Sequence, residues 1–209
     1  MYLYIFGSYC RGEIDQYSDI DLLVIKDKDE ILPQFDLDKY SIYNLDRIQN
    51  LWDEGNPFAW HLFLESKLIF SNDNKDVVRS LGKPNIYSNH TNDMNKFLKL
   101  YLESKNSLIR TNDSRDFDLS MIFLALRNFA SCYSLGYLKN PNFSRNSSIE
   151  IGIDSIKISD ECYSILKNSR ILSTRGIGKN VSDEEVAIVI NELEVISEWF
   201  KKLITKTHE

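Results

Sequence analysis

Hydrophobic residues repeat with two different periods along this chain, and the change of period divides it. In the first part, short apolar runs of strand length alternate with turns and brief helical patterns; the runs are Tyr2–Phe6, Leu22–Ile25, Lys39–Leu45 and Lys67–Phe70. From Met94 onward, apolar residues recur every three to four positions over long stretches, which is typical of amphipathic helices. The sequence therefore predicts an α/β region followed by an all-helical region.

The stretch 80–92 is rich in turn-forming residues and marks the boundary between the two regions. We predict an α/β + α architecture, with a small mixed sheet and its helices at residues 1–85 and an antiparallel helical bundle at residues 86–209. In the bundle, Asp116 and Ser159 are predicted N-caps, and Gly136 is predicted to end a helix. The segment 182–185 (Ser-Asp-Glu-Glu) predicts a capping box at the start of the last helix.

Composition and charge exclude several classes of protein. The formal net charge of the 209 residues is −6, so bulk electrostatics gives no support for broad nucleic-acid binding or for an anionic membrane surface. No apolar run approaches the length of about 18 residues that a membrane-spanning helix needs, and no signal peptide is evident. Cys10, Cys132 and Cys162 show no metal-ligand spacing and fit a reducing compartment. We expect a cytoplasmic protein with no membrane partner.

The strongest chemical signal lies between the first two predicted strands. The run Tyr2–Phe6 leads into Gly7 and Ser8, residues 11–17 are predicted to form a short helix, and Asp19 and Asp21 stand at the entry to the second run. Residues two apart in a strand share a face, so these two carboxylates are predicted to lie side by side. Such a pair is costly to bury without a cation, and Mg²⁺ or Mn²⁺ is the natural partner. Gly7 would let the backbone approach a phosphate, and Ser8 can donate a hydrogen bond to it.

An Asp-x-Asp sequence by itself is not specific, because it occurs three more times, at Asp27/Asp29, Asp36/Asp38 and Asp116/Asp118. Only the pair at Asp19 follows a strand and a Gly-Ser turn and then enters an apolar run. That combination resembles the signature of the polymerase-β-like nucleotidyltransferase superfamily. The segment Phe6-Gly-Ser-Tyr-Cys-Arg-Gly-Glu is also similar to the phosphate loop of that family and the helix after it.

The resemblance implies a Mg²⁺-dependent nucleotidyltransferase that moves a nucleoside monophosphate from an NTP, ATP being favoured, to a hydroxyl of an acceptor (protein, RNA or small molecule). It makes Asp19 and Asp21 the catalytic residues and metal ligands, and it assigns nucleotide binding to Gly7, Ser8 and Arg11. For Arg11, a solvent-exposed arginine without a role is the alternative. Residues 1–85 would be the nucleotidyltransferase domain.

The helical half resembles the bundle of kanamycin-type nucleotidyltransferases and of HEPN domains, with residues 126–130 as the closest piece. A homodimer or a protein partner is compatible with that resemblance. HEPN ribonucleases pair an arginine with a histidine a few residues later, but no histidine follows Arg127 in its predicted helix. We therefore expect no ribonuclease activity.

The third predicted strand departs from the family pattern. Active relatives carry a further carboxylate there, the general base for the attacking hydroxyl, whereas Tyr40–Asn44 contains no acid. We predict that Asp38, just before the strand, lies too far along it to share a metal, and that Ser41 or Tyr43 occupies the expected position.

Two alternatives to a general nucleotidyltransferase remain. One is a catalytically impaired nucleotide- or partner-binding protein of a toxin–antitoxin or defence pair, and the other is an aminoglycoside nucleotidyltransferase. A further pair of residues, His61 and Glu65, lies four apart on one helical face. We interpret them as a core histidine paired with a glutamate, and the alternative is that they are metal ligands.

Overall fold

The computed structural model describes residues 1–14, 20–27 and 40–207. The chain divides into two compact units, Met1–Ser88 and Asn89–Glu209. The first unit is α/β and the second is helical, so the predicted fold class is confirmed.

The first unit is built on a four-stranded sheet with helices after its strands. Its elements are β1 (Tyr2–Phe6), α1 (Ser8–Arg11), β2 (Asp21–Lys26), β3 (Tyr40–Asn44), α2 (Leu45–Asp53), α3 (Pro57–Glu65), β4 (Ser66–Ser71) and α4 (Val77–Ser80). The strand order is β3-β2-β1-β4. Strand β1 is antiparallel to both β2 and β4, whereas β2 and β3 are parallel, so the sheet is mixed as predicted.

One face of this sheet forms the core of the first unit with α2 and α3. Tyr4 and Phe6 of β1 and Leu23 and Ile25 of β2 are buried on that face, because residues two apart in a strand point the same way. Facing them are the apolar residues Ile48, Leu51, Trp52, Ala59 and Leu62 of the two helices. Asp21 begins the same alternation as Leu23 and Ile25, so it belongs to the same face, but its side chain is exposed.

An asparagine N-cap stands at the start of each of these helices. The Asn44 side chain accepts a hydrogen bond from the Arg47 N–H, and the Asn56 side chain accepts one from the Phe58 N–H. Pro57 then occupies the first turn of α3, where its missing N–H costs nothing. The caps fix where β3 gives way to α2 and where α3 begins, and α3 runs directly into β4.

The helix after the first strand is shorter than predicted. The sequence pattern suggested a helix over residues 11–17, but α1 covers Ser8–Arg11 and ends at Gly12. Gly12 has a φ of 76° and adopts the left-handed conformation in which glycine commonly ends a helix. Residues 15–17 of the predicted helix lie outside the described residues.

The second unit contains four long helices: α5 (His90–Arg110), α6 (Arg115–Tyr133), α7 (Asp160–Arg175) and α8 (Asp183–Lys206). Helix α6 packs against α5 and α7, and α8 packs against α5 and α7. The predicted caps at α7 and α8 are confirmed, since Ser159 accepts from the Cys162 N–H and Ser182 forms a capping box with Glu185. No helix in the described part of the chain is both long and apolar enough to span a bilayer.

Two predictions at the ends of α6 were wrong. The N-cap is Ser114 rather than Asp116. Helical structure does not end at Gly136, because α6 continues into a π-helical turn, Ser134–Leu138. Gly136 serves a different purpose, because a side chain there would collide with the ring and Cβ of His90. That close approach depends on a residue far away in sequence, so local pattern could not reveal it.

Candidate active site

Gly7 and Asp21 meet at the end of the sheet where β1 stops and β2 starts. Phe6, the last residue of β1, pairs with Asp21, the first residue of β2. Gly7 follows with a φ of 74° and a ψ of −139°, a backbone conformation that glycine adopts without strain. A Cβ atom on Gly7 would lie only 2.7 Å from Asp21 Oδ2. The absence of a side chain at residue 7 is therefore what lets the loop and the carboxylate approach each other.

The loop after Gly7 offers hydrogen-bond donors beside that carboxylate. The Gly7 carbonyl accepts the N–H groups of Cys10 at 2.9 Å and of Arg11 at 3.3 Å. Ser8 and Tyr9 are the first two residues of α1, and the first N–H groups of a helix have no acceptor within it. Across residues 1–14, 20–27 and 40–207, no side-chain or loop acceptor bonds these two amides or the Ser8 hydroxyl. They are donors for a ligand or for water.

Of the two predicted metal ligands, only Asp21 belongs to the part of the chain that the structure describes. Asp19 falls in residues 15–19, outside the described residues, so its place beside Asp21 stays a prediction. Among the described residues, no group of three or more histidine, cysteine, aspartate or glutamate side chains is close enough to hold a metal ion.

The register of β2 and β3 distinguishes the two candidates for the third carboxylate position. Ser41 pairs with Leu23 and therefore shares the face of Asp21, two residues or about 7 Å along the strand. Tyr43 pairs with Ile25, twice as far from Asp21, and packs against the core with its ring 5.6 Å from that of Phe58. Ser41 is exposed, so of the two positions it is the one where an acid could face Asp21. Asp38 lies outside the described residues.

The side chain of Arg11, the last residue of α1, extends to Glu65 at the end of α3. Its Nη1 donates to Glu65 Oε2, and its Nε donates to Glu13 Oε2 at 2.7 Å. Arg11 is thus mostly buried between two carboxylates rather than solvent-exposed, with 17% of its side chain accessible. Whether the guanidinium also contacts a nucleotide stays a prediction.

Glu65 joins this arginine to His61. His61 Nε2 lies 2.9 Å from Glu65 Oε2, and the imidazole packs edge-on against Phe6 with the ring centroids 5.5 Å apart. Burial acts to raise the pKa of Glu65, but its contacts with His61 and Arg11 outweigh burial and hold the pKa below its ordinary value. The interpretation of His61 and Glu65 as a core pair is confirmed. Sequence reasoning missed the contact of Glu65 with Arg11, which follows only from the pairing of β1 with β4.

Cys10 also lies in the loop, but its thiol is not set up for chemistry. Burial raises the pKa of Cys10, and the charge of Glu65 adds to this, while Lys67 and Arg11 act in the opposite direction. The thiol donates to the Ile5 carbonyl at 3.4 Å. Since the thiolate is the nucleophilic form, a protonated Cys10 is a packing residue.

In the helical unit, Arg127 holds a neighbouring segment of backbone. Its guanidinium donates to the carbonyl oxygens of Phe143 at 3.3 Å and of Ser144 at 3.4 Å. These contacts give Arg127 a structural role.

Comparison with known proteins agrees with the geometry of the first unit. Residues 1–75 match the family model described as Polymerase beta, Nucleotidyltransferase. The match includes all four strands, the Gly7–Ser8 loop and Asp21. No curated protein matches the chain.

Proposed function

We propose, on the premise that residues 1–75 belong to the polymerase-β-like nucleotidyltransferase superfamily, that this protein moves a nucleoside monophosphate from an NTP to an acceptor hydroxyl. One observation carries the proposal beyond the family match. The backbone of Gly7 and the carboxylate of Asp21 are close enough that no side chain fits between them. A triphosphate held by the loop would therefore lie directly beside the carboxylate.

The residues present fit a divalent cation, and Asp19 and Asp21 would hold it. Asp21 is an exposed carboxylate on the face of Ser41, and its Oδ2 lies close to the backbone of Gly7. Carboxylates combined with phosphate oxygens are the ligands that Mg²⁺ prefers. When bound, the ion would neutralise the triphosphate and the charge that develops during transfer.

The chain itself would bind and orient the triphosphate. The N–H groups of Ser8 and Tyr9 and the Ser8 hydroxyl would donate to the β- and γ-phosphate oxygens. The acceptor hydroxyl would lose its proton to water, and its oxygen would form a bond to the α-phosphorus. The bond from that phosphorus to the oxygen bridging it to the β-phosphate would break, and pyrophosphate would leave with that electron pair. Phosphoryl-type transfer depends mainly on positioning and charge stabilisation, which is what such a loop can supply.

Calorimetry with non-hydrolysable analogues of the four NTPs tests this proposal. In Mg²⁺ we expect at least one analogue to bind with a Kd at least about tenfold lower than in EDTA, because the two carboxylates repel a metal-free triphosphate. Pyrophosphate release from the matching NTP should then depend on the metal and on added acceptor. If none of the four analogues binds in Mg²⁺, the nucleotidyltransferase proposal is wrong.

Ser41 favours a second candidate, a nucleotide-binding or partner-binding protein with impaired catalysis. It stands on the face of Asp21 where an acid could act as the general base, but a neutral serine cannot take that role as a carboxylate would. General-base assistance is worth about 10²–10⁴-fold, so its loss slows transfer without preventing binding. Tight binding of Mg-NTP without pyrophosphate release would favour this candidate, and a partner from a toxin–antitoxin or defence pair would then be the binding target.

Replacing Ser41 with aspartate is expected to raise the rate of transfer by at least about tenfold, since it restores part of the general-base contribution. Ser41→Asn is the matched control, because it has nearly the same size but no charge. Asp38→Asn should change the rate little. The measurement is the rate of pyrophosphate release at saturating Mg-NTP. Equal rates for the aspartate and asparagine variants would mean that Ser41 is not the missing acid position.

The acceptor class is a separate proposal. The net charge of −6 is compatible with a cationic acceptor such as an aminoglycoside, as well as with a protein or a small-molecule hydroxyl. Assays of label transfer from the α-phosphate to an aminoglycoside, to RNA and to protein hydroxyls in parallel would separate these acceptors.

A further inference from the structure

Glu65 makes contacts with both ends of the phosphate loop. Its backbone carbonyl accepts the Gly7 N–H at 3.2 Å, and its side chain accepts Arg11 Nη1. The register explains the first contact: Phe6 pairs with Ser66, so the next pair along the antiparallel ladder places Gly7 opposite Glu65. The N–H groups of Ser8 and Tyr9 lie between the two tethered ends.

We infer that Glu65 is the positioning residue of the nucleotide site, holding the Gly7–Arg11 loop in the shape that binds a triphosphate. This inference rests on the proposed function. It assigns Arg11 a different role from direct phosphate binding: the arginine ties the loop to α3, and its charge is compensated by Glu65 and Glu13. His61 completes the arrangement, because its Nε2 lies 2.9 Å from the same carboxylate oxygen that accepts from Arg11.

The burial of the contacts indicates that this tether is stronger than an ordinary surface ion pair. The side chains of Glu65, His61 and Arg11 are 14%, 15% and 17% exposed, whereas that of Glu13 is 50% exposed. Exposed pairs contribute little, but a partly buried charged hydrogen bond contributes more and is costly to break on one side only. Burial raises the carboxyl pKa of Glu65, yet its partners lower it below the ordinary value, so Glu65 is ionised near neutral pH.

The first test needs no nucleotide. Hydrogen exchange of the peptide covering residues 7–13 is measured in the full-length, nucleotide-free protein, because the N–H bonds of Cys10 and Arg11 report opening of the loop. We expect Glu65→Gln to speed exchange of this peptide by about tenfold. Glu13→Gln is the matched control, since it removes the other carboxylate from the same arginine, and it should change exchange by less than about twofold.

The second test separates a tether from direct binding. If Arg11 acts through Glu65, then Arg11→Gln and Glu65→Gln should each weaken binding of a non-hydrolysable Mg-NTP about tenfold, and the double variant should be no weaker. Arg11→Gln also replaces Glu65→Gln in the exchange experiment if the latter does not fold. If Arg11 bound the triphosphate directly, its loss would weaken binding by the same factor whether or not Glu65 was present.

The outcomes distinguish the inference from the proposed function. Unchanged exchange in Glu65→Gln, or additive losses in the double variant, would overturn the tether while leaving a nucleotide site intact. Failure of the parent protein to bind any Mg-NTP would overturn the proposed function. In that case faster exchange in Glu65→Gln would still establish Glu65 as the residue that holds the loop.

Discussion

Replacing Gly7 with alanine is expected to weaken binding of Mg-NTP by at least about a hundredfold. The new Cβ would lie 2.7 Å from Asp21 Oδ2, a separation that real side chains do not tolerate, so the carboxylate or the loop must move. The backbone at Gly7 also has a conformation that costs a non-glycine residue about 1–3 kcal/mol. Both effects displace the groups that would contact the triphosphate. The measurement is the Kd of a non-hydrolysable NTP in Mg²⁺.

Gly12 provides the matched control for this substitution. It also has a positive φ, 76°, but a Cβ there would meet nothing within 4 Å among its surroundings. Gly12→Ala should therefore lose about 1 kcal/mol of stability from its backbone alone and keep its affinity for Mg-NTP within a few-fold. Thermal unfolding of both variants shows how much of any lost affinity reflects lost folding. A folded Gly7→Ala variant with parental affinity would remove the loop from the nucleotide site.

Replacing Asp21 with asparagine is expected to lower the rate of transfer by at least about a hundredfold. Loss of a residue that only supports a metal ligand already lowers metal affinity or activity by about 10–100-fold. The effect of this substitution on NTP affinity should differ in sign between EDTA and Mg²⁺. In EDTA, Asp21→Asn should bind NTP at least as tightly as the parent, because it removes a negative charge beside the phosphates. In Mg²⁺, the parent should gain affinity and the variant should not.

The reversal of sign is what identifies a metal ligand, since general damage to the fold would weaken binding in both buffers. Asp27→Asn is the control, because Asp27 follows the other end of the same strand, beyond Lys26. It should behave as the parent in both conditions. Loss of affinity in EDTA as well as in Mg²⁺ would indicate that Asp21 supports the fold rather than a metal.

Features set by neighbouring residues could be predicted from the sequence. The strand pattern of β1, the N-cap of α7 and the capping box of α8 depend on residues within one turn or one strand, and they are confirmed. The meeting of Gly7 with Asp21 follows from the antiparallel pairing of Phe6 with Asp21, which places the residue after β1 beside the first residue of β2. The helix after β1 was misplaced even though Gly12, a residue type that commonly ends helices, carried the local signal.

Features that depend on distant contacts could not be predicted. His90, at the start of α5, is partly buried, and its position requires glycine at residue 136 in the π-helical turn. The bond between Arg11 and Glu65 depends on the register of β1 against β4, which no local pattern specifies. The i, i+4 spacing of His61 and Glu65 did indicate a pair, but not which third residue it would hold.

The central place of β1 in the sheet has a consequence for synthesis of the protein. Strand β1 is made before the other three strands, but its two neighbours are β2 and β4, and Tyr2 pairs with Ser71, the last residue of β4. Until β4 has emerged, one side of β1 presents unpaired N–H and C=O groups, which is the template for association with another chain. Nascent chains or fragments that end before Ser66 should therefore aggregate through β1, whereas chains that extend past Ser71 can cover that edge themselves.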